Sequence, residues 1–507
     1  MLARPRPDGS RPKTSFMLEK GIYWCNNLGN TTSFASLGLI CGAGNRPGRM
    51  ISRAGGHQRG WMGGGDYPRG LSPEKVPGRR KKEIDLDRWL IDGHVRFAWV
   101  IGTTWCQAMA ASQELMDTFD RLTRKSPHQI ESFDPKAAVE TLRRRVDAGG
   151  TVVVDQDIYP VAPIGTEFAD LVLPAATWGE DDFTRANGER RLRLYSKFYD
   201  SPGEARPDWQ IIAGFAKKMG FEGYDWKDSN EVFEEAARHG RGGVLNYHPL
   251  VVKAKEEGQR SHDLLRQYGT EGIQTPIRMV GGRLVGTKRL HDTTLQLGPP
   301  EGPTVHPKWL TAFDTHTGKA ILFRSYWEDF QDFWEAVRPT GDELWVTNGR
   351  VNELWQSGFD DLRRPYIMAR WPYNFIEIHP EDARARGIES GDMVAIENDG
   401  VLVQTGGYLG VDDNELSFTK LREAGLIKTT RGSFMSVAIV TDAVRKGIAF
   451  TNFLWPESPA NSVVPRVPDP VTNRYRFKLG KGRITRIGES PYKTSFMAMS
   501  LAPRPIR

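Results

Sequence analysis

The sequence of 507 residues has little cysteine, with only Cys25, Cys41 and Cys106. Their spacings match no zinc or iron–sulfur ligand pattern, so each is predicted to be a small buried or half-buried apolar side chain. The chain also lacks an apolar run near the roughly 18 residues that a membrane helix needs. No membrane span is therefore expected. No secretory signal is expected either, because no apolar stretch follows the basic segment Met1 to Lys13.

A strong charge of one sign is missing too. Lysine and arginine number 69 against 63 aspartates and glutamates, which leaves a net charge of +6 with the basic residues dispersed. The short runs Arg79 to Lys82 and Arg143 to Arg145 are most simply solvated surface. This balance is weak evidence for nucleic acid, and no nucleic-acid partner is expected. It favours local sites for anions instead.

The length exceeds the size at which one hydrophobic core stops growing, so several domains are expected. Hydrophobic residues make up 39% and there are 53 glycines, a composition typical of a globular enzyme with some excess of glycine. We predict four parts. They are an incomplete α/β domain with a glycine-rich loop (1–90), a second α/β domain (91–225), a mixed connecting region (226–340) and a carboxyl-terminal β-barrel (341–507). Within the first part, Ser36 to Ile40 predict a short helix that leads into the glycine-rich loop at 42–70.

Strands and helices alternate through the second predicted part. The apolar run Phe97 to Ile101 predicts a buried strand, and Gln107 to Arg124 has the spacing of an amphipathic helix. A helix over Ala137 to Val146 then leads to a strand at Thr151 to Asp155 and to another at Ala169 to Leu173. This alternation predicts a doubly wound, mostly parallel sheet.

Short apolar runs separated by turns follow Leu344. The predicted strands are Trp345 to Thr347, Phe375 to Ile378, Met393 to Glu397, Val401 to Gln404, Met435 to Val440 and Ile448 to Phe453. A closed β-barrel of about 150 residues fits them. The region from Trp226 to about Trp334 mixes charged helical segments with Pro- and Gly-rich connections, and its sequence predicts no topology.

A first candidate site is the segment that holds Arg53 and His57. Glycines between them allow a ligand to approach the backbone, Arg53 offers a planar fork of donors, and His57 can donate or shuttle a proton near neutral pH. The pattern favours an oxyanion pocket. The alternative is a glycine turn whose arginine and histidine pair with surface carboxylates.

Two further candidate sites contain amides and guanidinium groups. Asn187, Gly188 and Arg190 follow the strand at 169–173, in the place where open α/β sheets bind cofactors, although an ordinary surface Asn-Gly turn is equally consistent. The segment 347–356 clusters amide, guanidinium and aromatic groups, which suit a large heterocycle with a pyrophosphate tail.

The order of several motifs resembles the dimethyl sulfoxide reductase superfamily. The motifs are Ala-Asp-Leu-Val-Leu-Pro (169–174), Asn-Gly-Glu-Arg-Arg (187–191), Asn-Gly-Arg-Val-Asn-Glu-Leu-Trp-Gln (348–356) and Ile-Glu-Ile-His-Pro-Glu-Asp-Ala (376–383). Within that superfamily, Glu19 to Ile22 and Arg53 to Gln58 are most similar to the arsenite oxidase large subunit group, which includes iodate reductase-like members. The resemblance covers most of Lys13 to Arg507 and implies a barrel of the double-psi type.

The resemblance implies a molybdenum ion held by two pterin guanine dinucleotides, at which two electrons and an oxygen atom are exchanged with a small oxyanion. Arg53 and His57 match the ligands of that oxyanion. The resemblance also implies a set of residues that match the family's cofactor contacts or lie near them. They are Thr104, Trp105, Asp155, Asn187, Gly188, Arg190, Asn348, Gly349, Arg350, Asn352, Gln356, Asn461 and Lys478. The region from Tyr475 to Lys478 is expected to close over a pterin.

The amino-terminal cluster domain of the family would precede Met1, so a [3Fe-4S] or [4Fe-4S] cluster is expected only if that segment is present, and no protein ligand to molybdenum is assigned. The resemblance also implies a Rieske-type [2Fe-2S] small subunit, a soluble electron carrier such as cytochrome c, and a periplasmic location. Oxidation of arsenite to arsenate is the leading expectation. An iodate reductase and a non-catalytic truncated fragment are the alternatives. A dehydrogenase that binds a nicotinamide dinucleotide is disfavoured, because no Gly-x-Gly-x-x-Gly follows Ile101.

Overall fold

A computed structural model describes most of the chain. The described residues are 4–10, 12–42, 51–53, 86–187, 190–241, 245–287, 317, 319–322, 327–355, 358, 360–407, 418–453, 455–469 and 474–494. The chain forms two compact units, of which the first contains 1–19, 32–75 and 174–324 and the second contains 20–31, 76–173 and 325–507. Because these units interleave along the chain, the four consecutive parts stay a prediction.

Helices and strands alternate irregularly up to residue 285. In chain order they are β1 (Phe16–Leu18), α1 (Lys20–Tyr23), α2 (Asn27–Ile40), β2 (Ile51–Arg53), α3 (Leu86–Ile91), β3 (Phe97–Ile101), α4 (Trp105–Ala108), α5 (Ser112–Leu122), α6 (Pro135–Asp147), β4 (Val152–Asp157), β5 (Leu171–Pro174), β6 (Phe183–Asn187), β7 (Arg191–Tyr195), α7 (Asp208–Lys218), α8 (Ser229–His239), α9 (His248–Glu256), α10 (Ser261–Arg266), β8 (Ile273–Gln274), β9 (Arg278–Val280) and β10 (Arg283–Val285).

Strands dominate the remainder. The elements are α11 (Trp327–Val337), β11 (Leu344–Gly349), α12 (Pro365–Arg370), β12 (Phe375–Ile378), α13 (Pro380–Ala385), β13 (Asp392–Gln404), α14 (Phe418–Glu423), β14 (Ile427–Val440), β15 (Ile448–Asn452) and β16 (Gly480–Glu489). Among the described helices, none has both the length and the apolar character needed to cross a bilayer.

The first unit contains the region whose topology the sequence did not predict. Strands β6, β7 and β8 form a sheet in which β7 pairs antiparallel with both neighbours, and β1 pairs parallel with β2. Helices α8, α9 and α10 share one apolar core with this sheet, which includes Leu192, Phe233, Leu250, Leu265 and Ile273. Helix α8 begins where the Asp228 side chain accepts a hydrogen bond from the Glu231 N–H at 3.1 Å, as an N-cap residue does.

The second unit begins with the predicted α/β sheet. Its strands lie in the order β3, β4, β5, and β3 runs parallel to β4. Ala98, Val100 and Val153 pack with Leu115 and Phe119 of α5, which confirms the apolar stripe predicted for that helix. This part of the chain is therefore an α/β arrangement with parallel strands, as the sequence predicted.

Six strands close into a barrel in the same unit, in the order β11, β15, β12, β14, β13, β16. Its core includes Val346, Ile376, Val394, Phe434 and Ile484. The barrel confirms the predicted architecture, since each of the six predicted strands overlaps one of its strands.

Two strand predictions in the barrel were incomplete. The strands predicted at 393–397 and 401–404 are parts of one strand, β13, because the turn-like Asn398 to Gly400 forms an irregularity within the ladder rather than a break. Strand β16 was not predicted, because its sequence Gly-Lys-Gly-Arg-Ile-Thr-Arg-Ile-Gly-Glu has no run of apolar residues. A Cβ at Gly482 would lie 3.0 Å from the Glu397 carbonyl oxygen, so close pairing favours glycine there.

Two helix predictions also changed. The helix predicted over 107–124 is divided into α4 and α5, because Ala111 adopts φ 47° and its N–H donates to the Val464 carbonyl at 2.9 Å. Helix α2 begins at Asn27, earlier than the predicted start at Ser36. The predicted glycine-rich loop 42–70 lies outside the described residues apart from Gly42 and β2.

Candidate cofactor site

A chain of buried amides joins α4 to the barrel in the second unit. Asn461, in a short 3-10 turn (Ala460–Val463), donates from Nδ2 to the carbonyls of Ala108 at 3.0 Å and Gln107 at 3.3 Å. Asn348 of β11 donates from Nδ2 to Oδ1 of Asn461 at 3.1 Å. Lys478 donates from Nζ to Oδ1 of Asn348 at 3.2 Å and contacts its backbone carbonyl. Three residues predicted from the resemblance therefore meet in one place.

The end of β11 is shaped by close packing. Gly349 follows Asn348, and a Cβ built there would lie 2.7 Å from the ring of Phe450 on the paired strand β15. Only glycine fits without moving that ring, so Gly349 fixes how the strand end meets its neighbour. Arg350 comes next, with its guanidinium carbon 6.0 Å from the centre of the Phe453 ring. Asn352 lies exposed in the following turn.

A cavity of about 440 Å³ opens beside α4, within the size range of small-molecule and cofactor sites. Its walls include Gln107, Tyr159, Thr166, Leu362 and Arg363. Gln107 is 1% exposed, and its Oε1 has no hydrogen-bond partner among the described residues. A buried acceptor without a donor is unfavourable, so this oxygen favours a ligand that presents an N–H or O–H group.

One wall of the cavity carries a stacked pair. The guanidinium carbon of Arg363 lies 3.9 Å from the centre of the Tyr159 ring. Burial raises the pKa of the Tyr159 hydroxyl, so that side chain stays neutral at ordinary pH. An aromatic face and a guanidinium plane together suit a flat ring or a phosphate group.

Asp155 lies under the loop that forms another wall. It is fully buried in β4, and neither carboxylate oxygen makes a hydrogen bond of normal geometry to a described residue. Burial raises the pKa of Asp155 to about 6 and the charge of Asp157 adds to that, while the Val161 N–H acts in the opposite direction. A Cβ at Gly165 would lie 2.1 Å from Oδ2 of Asp155, so a glycine lets the loop rest on the carboxylate. The structure thus places Asp155 behind the cavity wall.

Thr104 and Trp105, two of the predicted cofactor contacts, lie at the start of α4. Both are buried, and Trp105 meets Phe119 edge-on with ring centres 5.2 Å apart. The Trp105 indole donates from Nε1 to Oδ1 of Asp87 at 2.8 Å. These contacts make Trp105 part of the core that supports α4, and its binding of a cofactor stays a prediction.

The candidates in the first unit are only partly described. Arg190 adopts φ 60°, and its guanidinium donates to the carbonyls of Thr275 and, at 3.1 Å, Thr287, so it organises the neighbouring chain. Asn187 ends β6 and Arg53 ends β2, and the side chains of both lie outside the described part. His57, Gly188 and Gln356 lie outside the described residues.

Sequence reasoning missed Gln107, Tyr159, Arg363 and Asp87 as site residues. Gln107 and Tyr159 each follow the end of a parallel strand, a position typical of ligand contacts in open sheets, and that signal could have identified them. Arg363 and Asp87 become relevant only through their partners in the fold, which no local pattern indicates.

Comparisons with protein families agree with this geometry. Residues 159–218 match the model for molybdopterin oxidoreductases, and residues 344–403 match the molydopterin dinucleotide binding domain. The first match begins at Tyr159 in the cavity wall, and the second includes Asn348. The chain belongs to the molybdopterin oxidoreductase family.

The relatives correct one expectation from the sequence. The sequence is 62% identical to the iodate reductase subunit IdrA of Denitromonas iodatirespirans and 60% identical to that of Pseudomonas sp. (strain SCT), in both cases over the whole chain. The arsenite oxidase subunit AioA of Herminiimonas arsenicoxydans is 30% identical over 78% of the chain and 46% of its own length. The similarity therefore favours the iodate reductase alternative over the arsenite oxidase expectation. The chain spans 57% of the length of both iodate reductase relatives.

Proposed function

We propose that this chain is the greater part of the catalytic subunit of an iodate reductase, which binds a molybdenum ion through two pterin guanine dinucleotides. The observation that carries the proposal is the 62% identity to an iodate reductase subunit along the whole chain, against 30% to an arsenite oxidase subunit. When bound, such a cofactor supplies two-electron oxygen-atom transfer, and the protein binds and orients the reactants.

The described residues of the second unit fit this cofactor. Asn348, Asn461 and Lys478 would hold polar edges of a pterin, because amides and an ammonium group converge there. Gln107 would receive a hydrogen bond from the ligand, since its Oε1 has no partner among the described residues. Arg363 and Tyr159 would bind the nucleotide end in the cavity of about 440 Å³.

The substrate and partner assignments rest on the resemblance and the relatives. Arg53 and His57 are proposed to hold the oxyanion, Arg53 by its fork of donors and His57 as donor or proton shuttle. A Rieske-type [2Fe-2S] small subunit, a soluble electron carrier such as cytochrome c and a periplasmic location are proposed with them. A [3Fe-4S] or [4Fe-4S] cluster belongs to the proposal only if the remaining part of such a subunit is present.

Arsenite oxidation is the second candidate function. It is favoured by the similarity to an arsenite oxidase subunit over 78% of the chain, and by the Arg53 to Gln58 segment. The two functions run the oxygen transfer in opposite directions, so a redox dye separates them. The third hypothesis is a non-catalytic fragment, which would show neither iodate reduction nor arsenite oxidation.

The test uses the chain produced with the remaining part of a full-length relative in a host that makes molybdenum cofactor. Iodate-dependent oxidation of a reduced viologen dye, without arsenite-dependent reduction of an oxidised dye, supports the proposal. The reverse result supports arsenite oxidation. Bound molybdenum with neither activity means that the cofactor assignment holds and the substrate assignment is wrong.

A further inference from the structure

One buried carboxylate in the second unit contacts side chains from two separate segments. Asp87, in α3, is 3% exposed. Its Oδ1 accepts the indole N–H of Trp105 at 2.8 Å, and its Oδ2 accepts the hydroxyl of Tyr475 at 3.3 Å. Each oxygen therefore holds a different donor, one at the start of α4 and one in the segment 474–478.

The segment 474–478 is also fixed at its far end. The Lys478 N–H donates to the Trp24 carbonyl at 3.1 Å, and the rings of Trp24 and Phe477 lie 5.1 Å apart. Nζ of Lys478 lies 5.6 Å from the centre of the Trp24 ring and reaches Asn348. The position of the ammonium group thus depends on where this short segment lies.

Two routes connect α4 with Lys478. The first runs from the α4 carbonyls through Asn461 and Asn348 to Nζ of Lys478. The second runs from Trp105 through Asp87 to Tyr475, three residues before Lys478. Together they form a closed loop of contacts. Such a loop restricts relative movement more than either route alone, because the segment 474–478 is then held at Tyr475 as well as at Lys478.

We propose that Asp87 is a positioning residue for the cofactor site, holding α4 and the segment 474–478 in one fixed arrangement. Gln107 lies two residues after Trp105, so this arrangement sets the separation between the Gln107 amide and the Lys478 ammonium group. The inference rests on the proposed function only in assigning a pterin cofactor to those two groups. Asp87 acts on these groups through its hydrogen bonds to Trp105 and Tyr475.

The chemistry suits a fixed support. A carboxylate accepts hydrogen bonds more strongly than a neutral group, and burial excludes the water that would compete for its oxygens. Indole and phenol groups each offer one donor, so a carboxylate between them sets both rings at once. Groups that orient the residues contacting a bound metal centre commonly change its affinity by 10- to 100-fold when they are removed.

Two variants test the role. Tyr475→Phe removes one hydroxyl and keeps the ring, and Asp87→Leu removes both acceptors. Asp92→Asn is the matched control, because Asp92 follows α3, is 41% exposed and pairs with Arg88 at 2.6 Å. Hydrogen exchange of the peptide covering 474–479 and molybdenum retained after gel filtration are measured, both on the chain produced with the rest of a full-length relative.

We expect faster exchange at the Lys478 amide in Tyr475→Phe and Asp87→Leu, and roughly tenfold or greater loss of retained molybdenum, with Asp92→Asn unchanged. Unchanged exchange at 474–479 in Tyr475→Phe overturns the inference, and so does faster exchange spread evenly over the second unit, which indicates a general structural role. If Asp87→Leu does not fold, hydrogen exchange at 474–479 in Tyr475→Phe alone decides whether Asp87 has this role. Absence of molybdenum from the parent protein contradicts the proposed function, whereas the exchange comparison still decides the role of Asp87.

Discussion

Asn348 and Asn461 are joined by a 3.1 Å hydrogen bond between their side-chain amides, although 113 residues separate them. Asn461 also donates to two carbonyls of α4, so one amide connects the α/β sheet region to the barrel. Both residues are buried. We infer that this link places the groups that would hold a pterin where the α/β sheet region meets the barrel, within the second unit.

The first prediction concerns that link. Asn461→Ala removes the amide and leaves the buried Nδ2 of Asn348 without its acceptor, which costs about 1–3 kcal/mol. The free energy of unfolding in urea should fall by that amount. The exposed Asn352 is the control, because Asn352→Ala removes an amide of the same type and should change stability by less than about 0.5 kcal/mol. Equal effects of the two substitutions would contradict the account.

The second prediction concerns the buried pair of Arg145 and Asp170. Their side chains are 2% and 7% exposed, and Nη1 of Arg145 lies 2.5 Å from Oδ1 of Asp170. Arg145→Ala leaves the carboxylate buried without its cation, so we expect a loss of about 3–5 kcal/mol in the free energy of unfolding. Arg144→Ala is the matched control on the exposed side of α6. A loss no greater than that of the control would show that the pair contributes little.

The third prediction is a pH dependence at Asp155. Because burial raises the pKa of this carboxyl from 3.8 to about 6, the folded protein binds more protons than the unfolded chain between these values. The contribution of Asp155 to stability therefore falls as pH rises from about 4 to 6 and stays low above 6.

Asp155→Asn should remove this pH-dependent loss of stability. The free energy of unfolding of the variant, relative to that of the parent protein, should rise by about 1–3 kcal/mol between pH 4 and pH 7, which urea unfolding at several pH values measures. Asp147→Asn, in an exposed position of α6, should show no comparable change. A difference between Asp155→Asn and parent that does not vary with pH would be incompatible with a raised pKa.

The fourth prediction separates binding from stability at Gln107. Gln107→Leu replaces a buried amide whose Oε1 has no partner among the described residues. Without cofactor, the variant should be more stable than the parent by about 1 kcal/mol, because the unpaired acceptor is gone. With cofactor available it should retain less molybdenum. Gln113→Leu, on the neighbouring helix α5, should leave retention unchanged. Equal retention in both variants would exclude Gln107 from the site.

Local patterns predicted much of the fold. Strands β3 and β12 have the bounds that their apolar runs indicated, but β3 is not buried along its whole length as predicted, because its end residues Phe97 and Ile101 are exposed. Strand β16 carried no such signal, because glycine and charged residues interrupt its two isoleucines, and it is held as a strand by pairing with β11 and β13 on its two sides. The break between α4 and α5 depends on a contact with Val464, which no sequence window near residue 111 contains.

The candidate site was predictable only in part. Asn348 followed from a family motif and Asn461 and Lys478 from the wider resemblance, and the structure brings the three together. Gln107 and Asp87 could not be identified from local sequence, because their roles depend on the folded structure. Oε1 of Gln107 has no hydrogen-bond partner among the described residues, and Asp87 accepts hydrogen bonds from Trp105 and Tyr475, which are distant in sequence. The proposed substrate rests on overall similarity to relatives and not on a residue of the described part of the chain.

Elemental and nucleotide analysis of the purified protein tests the central claim most directly. The chain is produced with the remaining part of a full-length relative, and molybdenum and the guanine nucleotide released by acid are measured per chain. The account predicts one molybdenum and two guanine nucleotides, with both reduced in Lys478→Ala and unchanged in Lys428→Ala, a lysine at an exposed position of β14. A folded protein that holds neither molybdenum nor guanine nucleotide would contradict it.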